Sequence, residues 1–200
     1  GMVKLDRSFL AGLGLNVGSL DPRNLQLYGN GGAMLPQAND VPRHDDLVQN
    51  PMLVVGEGDG SLDASDYVVF YGQGPHTWQY DSATAKLRHR YHFYSDTNYY
   101  FLRVGSDRGL RVTDAPAPGA ETYEPTRLRH AHFHEQEREN PIHSGRVWLG
   151  ERMDLNNQRS FRFALPDALP NGNLRVAVRV AARSDRPTYY TLSVGGQVAA

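Results

Sequence analysis

Cysteine is absent from all 200 residues. That excludes disulfide frameworks, thiolate metal sites and a cysteine nucleophile within this stretch, and it leaves the redox compartment open. Long apolar runs are also missing. The longest, Met52–Val55 and Tyr67–Tyr71, fall far short of the ~20 residues a membrane-spanning helix needs. Neither sign of charge dominates: 21 basic residues stand against 22 acidic ones, net −1. Such a balance argues against general binding to nucleic acid or to anionic membranes. Several reactive motifs fail as well. There is no Gly-x-x-x-x-Gly-Lys phosphate loop and no Gly-x-Ser-x-Gly elbow. Gly12-Leu13-Gly14 finds its next glycine at Gly18, one place too late for a dinucleotide fingerprint. His134-Glu135-Gln136-Glu137-Arg138 lacks the second histidine at i+4 that a zincin helix requires. Gly1-Met2 leads straight into Val3-Lys4-Leu5-Asp6, with no basic stretch and apolar segment of a secretory leader.

What is present describes a folded β protein. Hydrophobic residues make up 40%, and the 20 glycines bring the apolar fraction to about 50%, a globular composition. Asp6 is placed to cap a short helix in which Phe9, Leu10 and Leu13 fall at i, i+1 and i+4, with Gly14 to end it. Beyond it come short strands between glycine turns: Leu25–Tyr28, Met52–Val55, Tyr67–Tyr71, Tyr99–Val104 and Leu110–Val112. Gly105–Gly109 has hairpin composition. The expected fold class is mainly β with antiparallel sheets and one short N-terminal helix.

Charge and composition divide the chain. Residues 1–126 carry 10 basic and 15 acidic groups, whereas 127–200 carry 11 and 7. Residues 114–126 hold three prolines and no periodicity, so they read as a connector between an N-terminal β-rich domain, 1–113, and a second unit, 127–200. In that unit Phe161, Phe163 and Leu165 share one strand face, and Leu174, Val176, Val178 and Val180 share the next. Tyr190, Leu192 and Val194 repeat the pattern. Period two with a polar opposite face predicts a β-sandwich. Because residues 191–200 lie in or just after a hairpin, the expectation is a piece of a longer chain with this unit incomplete.

Three clusters are candidates for chemistry. Glu57, Asp59, Asp63 and Asp66 lie in a glycine-containing loop and offer hard oxygen ligands for calcium. The loop lacks EF-hand spacing, and aspartates also stabilise tight turns by accepting backbone N–H bonds. His130, His132 and His134 would stand about 6.5 Å apart on one face of a strand, either as a partial metal site or as a solvated face. Trp78 and Trp148, with Tyr71, Tyr80, Tyr91, Tyr94, Tyr99 and Tyr100, read as core packing or as a sugar-stacking platform. Trp148 in particular is expected to be a core or inter-domain anchor.

Five ordered stretches resemble a known family: 25–36, 45–47 and 59–75, then 94–102 and 144–151. They include Leu25-Gln26-Leu27-Tyr28-Gly29-Asn30-Gly31-Gly32, Asp59-Gly60-Ser61-Leu62-Asp63 and Ser144-Gly145-Arg146-Val147-Trp148. The region is similar to the N-terminal part of PorU-type, gingipain-related cysteine peptidases, the sortases of the type IX secretion system in Bacteroidetes. The resemblance implies a non-catalytic β module ahead of a caspase-like peptidase domain, whose His/Cys pair has no counterpart here. It further implies a surface or outer-membrane location on the periplasmic or extracellular side. Its partners would be the downstream peptidase domain, secretion components or secreted substrate proteins. A carbohydrate-binding or adhesive surface module is the alternative, motivated by the aromatic content and the acidic loop.

Overall fold

The computed structural model describes residues 1–117, 119, 126, 130–145 and 147–199. The expected connector at 114–126 and Arg146 lie partly or wholly outside the described residues. The chain forms two compact units, Gly1–Ala131 and His132–Ala200.

In the first unit, β1 (Met2–Asp6) runs directly into α1 (Arg7–Gly12). Asp6 makes the junction, because its carboxylate accepts from the Phe9 N–H at 2.8 Å and from the Ser8 hydroxyl at 2.7 Å. Those two bonds, the hydroxyl's first, hold its pKa below the ordinary aspartate value. Gly14 follows in the left-handed region, φ 89°, and its N–H closes on Ala11 O. Of the three apolar residues expected to face the core, only Leu10 is buried. Phe9 and Leu13 face solvent, since a six-residue helix has room for one inward position.

The strands follow as β2 (Leu25–Tyr28), β3 (Gln49–Asn50), β4 (Leu53–Val55) and β5 (Tyr67–Tyr71). Then come β6 (Thr77–Asp81), β7 (Lys86–Arg90) and β8 (Phe101–Val104). One antiparallel sheet has the order β1-β5-β4, with Leu5 opposite Val68; a second has the order β3-β2-β8, with Leu27 opposite Leu102. Alternation in β5 turns Val68 and Phe70 inward, and β2 contributes Leu25 and Leu27. These side chains join Leu5, Leu10, Met52 and Val54 in one aliphatic core drawn from both sheets.

Two differences from the sequence reading have physical causes. Residues 99–104 and 110–112 do not form a hairpin. Instead β8 pairs with β2, while Leu110 O accepts from the Met52 N–H and Val112 N–H donates to Met52 O, making a parallel bridge. The tyrosines are also not core. The β6–β7 hairpin forms its own two-stranded sheet, so Trp78 and Tyr80 stay exposed, as do Tyr71, Tyr94 and Tyr99. Of the tyrosines singled out in the sequence, Tyr100 packs on the core, its ring 5.2 Å from that of Phe70.

The second unit, among its described residues, has one regular ladder, the hairpin of β9 (Ser193–Val194) and β10 (Gln197–Val198). The alternating segments around 161–165 and 174–180 carry no strand ladder, and their apolar side chains are exposed. One side-chain register is nevertheless visible. His132 packs beside Phe163 and His134 beside Phe161, in opposite chain order, so these segments lie antiparallel.

Gly109 marks a tight backbone approach against β2. Its N–H donates to Arg23 O at 3.1 Å, and a Cβ there would sit 1.8 Å from the Leu25 carbonyl oxygen. Because that neighbour is main chain, relief requires moving β2. Gly109→Ala is expected to cost about 1–3 kcal/mol, read as a melting-temperature drop of several degrees. An unchanged melting temperature would contradict this packing.

Candidate functional site

The acidic loop is held by arginines. Arg111 donates from Nε to both Glu57 carboxylate oxygens, at 2.9 and 3.2 Å, and from Nη2 to Oε2 at 2.7 Å. Its remaining N–H groups reach four carbonyls. Nη2 bonds Pro22 O and Arg23 O at 3.0 and 2.9 Å, and Nη1 bonds Leu25 O and Leu110 O at 3.3 and 3.2 Å. The two side chains are only 21% and 25% exposed. A rigid, planar five-donor fork is the group that can satisfy so many acceptors at once.

Two of the other carboxylates, those of Asp59 and Asp66, accept backbone N–H bonds, while Asp63 contributes its own N–H. Asp59 accepts from the Ser61 N–H at 3.0 Å, an aspartate turn. Asp66 is buried and accepts from the Asp63 N–H at 2.7 Å. Gly56, at φ 93°, lies against it, and a Cβ there would meet Asp66 Oδ1 at 1.9 Å. Arg7 Nε ties Leu62 O to the helix at 2.9 Å. Arg23 closes over Gly60. Its guanidinium is held more firmly charged by the Asp21 carboxylate first, and by Glu57 and Asp59 at longer range. Thus Glu57, Asp59, Asp63 and Asp66 share one loop, but the carboxylates of Glu57, Asp59 and Asp66 already accept arginine or backbone N–H bonds. Among the described residues no group of three histidine, aspartate or glutamate side chains converges as a metal-ion set.

The histidine run forms no strand ladder among the described residues. His134 Nε2 lies 2.7 Å from Glu151 Oε1, and its ring packs on Phe161. That hydrogen bond is the main cause holding the Glu151 carboxyl below its ordinary pKa, with the charges of His134 and Arg138 adding to it.

A second imidazole cluster escaped sequence reading. On and beside the β6–β7 hairpin, the His76 ring stacks on Tyr91 at 4.2 Å, and Trp78 meets His89 edge-on at 5.0 Å. His76 Nδ1 accepts from the His92 N–H at 3.0 Å, so the neutral ring carries its proton on Nε2, which faces Asp96 at 3.6 Å. His92 Nδ1 accepts from the Tyr94 and Ser95 N–H groups. Burial, then the neighbouring His76, lowers the His89 pKa. Backbone amides consume the lone pairs of His76 and His92, so these rings fasten a hairpin. The spacing 76, 89 and 92 becomes meaningful only once the turn at 81–86 is known.

Trp148 is 39% exposed. Of the two expectations for Trp148, the core one fails: the side chain is partly open on a cleft of the second unit. Its neighbours in sequence show why: Leu149 takes the backbone pairing, exchanging N–H···O bonds with Glu139 at 2.8 and 2.9 Å.

Together these features define a class: a mainly β, antiparallel module whose acidic loop is held by its own arginines and backbone amides. No family model and no curated protein matches the chain. Among solved structures it is similar to the crystal structure of dimeric latent PorU from Porphyromonas gingivalis, with 30% identity and a TM-score of 0.53. The likeness covers 76% of this chain and 13% of that chain. The fold is PorU-like, and no helix among the described residues is long and apolar enough to cross a membrane.

Two outcomes are expected. Millimolar calcium should raise the melting temperature by no more than about 1 °C, because the Glu57, Asp59 and Asp66 carboxylates already accept protein hydrogen bonds and compete with a ligand that stabilises by binding the native state. A rise of several degrees that Asp63→Ala abolishes would contradict this. For Glu151, a depressed carboxyl contributes stability above its ordinary pKa and loses it as pH falls through the lower folded value. The melting-temperature difference between the parent chain and Glu151→Gln should therefore be present at pH 6 and vanish on acidification below the usual carboxylate range. A pH-independent difference would place the effect in packing.

Proposed function

We propose that this chain is a non-catalytic β module of a PorU-type cysteine peptidase, lying ahead of the peptidase and positioning it or contacting the secretion machinery. The observation that carries this reading is the 30% identity to PorU over 76% of the chain at a TM-score of 0.53. The chain spans 13% of the PorU length, and its 200 residues hold no cysteine. Catalysis by a cysteine peptidase must then come from residues outside this stretch. In the first unit, Arg7, Arg111, His76 and His92 are spent on holding loops and a hairpin. The module belongs on the periplasmic or extracellular side of the cell envelope.

The coding sequence after residue 200 tests the proposal. A caspase-like segment with a histidine and a cysteine supports it, and an unrelated domain there overturns it. The pure 200-residue chain is expected to hydrolyse no peptide in a mass-spectrometric screen of mixed substrates. Reproducible cleavage at defined sites, abolished by one substitution within the chain, would contradict a non-catalytic role.

A further inference from the structure

The cleft beside Trp148 gathers arginines around an indole. Its frame is local. The Arg138 and Glu139 N–H groups both donate to Leu149 O at 2.9 Å. The intervening turn closes through Asn140, whose Oδ1 accepts from the Ile142 and Ser144 N–H groups at 3.3 and 3.1 Å. His143 and Gly145 supply the left-handed conformations, φ 52° and 76°, that let the turn double back. The resulting cleft has a volume of about 640 Å³, within the range of small-molecule sites.

Three guanidinium groups line it, those of Arg138, Arg152 and Arg183, with the indole of Trp148 among them. Glu139 is the carboxylate on the lining, and its contact with Arg152 is a long 3.9 Å. Arg152 also approaches Asp154 at 3.4 Å, while Arg138 lies near enough to Glu151 to influence it. Arg138 and Arg183 form no ion pair with any carboxylate among the described residues. Positive charge is therefore in surplus in a concave site, which concentrates anions. Guanidinium forks match the paired oxygens of carboxylate and phosphate. The half-exposed indole offers a flat apolar face of the kind on which rings stack.

We propose that this cleft binds a small oxyanion carried on a ring, such as a sugar bearing a phosphate or a carboxylate, with Arg138 and Arg183 holding the anion and Trp148 the ring. The inference does not rest on the peptidase-module reading.

Titration of the ¹⁵N-labelled 200-residue chain, followed at the Trp148 indole N–H (assigned through Trp148→Phe), tests it. The probes are glucose 6-phosphate, glucuronate, uncharged glucose and inorganic phosphate at low salt. Saturable shifts are expected with at least one charged sugar and none with glucose. Whether phosphate or carboxylate binds more tightly identifies the anion. Arg183→Gln and Arg138→Gln should each weaken binding at least tenfold while the melting temperature stays unchanged, and Arg175→Gln, outside the cleft, should leave it intact. Failure of both charged sugars to shift the indole, or binding indifferent to Arg183→Gln with the fold intact, overturns the proposal. Equal affinity for inorganic phosphate and glucose 6-phosphate overturns the role of Trp148.

Discussion

The guanidinium of Arg111 is the constraint on which the first unit depends. It stands where the chain returns after β8, beside the parallel bridge to Met52, and reaches back to the Pro22, Arg23 and Leu25 carbonyls. Through Glu57 it also grips the loop between β4 and β5. Residues separated by up to 89 positions are thereby fixed to one planar group. A partly buried pair of this kind pays desolvation, so its value depends on full hydrogen bonding. Here every branch of the fork is used. Gly109 lets the main chain come close enough for this, because a side chain there would strike the Leu25 carbonyl oxygen.

Much of the fold was legible in local signals. Tyr67–Tyr71 and Leu25–Tyr28 are strands with the bounds that their β-branched and aromatic content predicts, and Asp6 caps the helix as its position before Phe9 suggests. Non-local choices were not legible. Met2–Asp6 is a strand because β5 offers it an edge, with Leu5 set against Val68; no pattern of its own announces it. Thr77–Asp81 and Lys86–Arg90 form a hairpin around a turn without the usual Asn-Gly or Asp-Gly signature. Its aromatic side chains read as core or as a stacking platform, and the core of two small sheets is filled by leucine, valine, methionine and Phe70 instead.

The same limit governs the candidate sites. Four carboxylates in ten residues read as ligands when seen alone, since the sequence does not reveal that Arg7, Arg23 and Arg111 arrive from elsewhere in the chain. Conversely, the cleft beside Trp148 draws its arginines from positions 138, 152 and 183, a spacing that matches no motif. Only the fold assembles them. The PorU likeness covers 76% of this chain and 13% of PorU.

The central claim is that the Arg111–Glu57 contact organises the acidic loop and the core beneath it. A double-mutant cycle with Glu57→Gln, Arg111→Met and the double variant, read by urea unfolding, measures that contact directly. A coupling energy of about 1–3 kcal/mol is predicted, above the value of an exposed pair and at or below that of a fully buried one. Additivity of the two single variants to within about 0.5 kcal/mol would contradict the account.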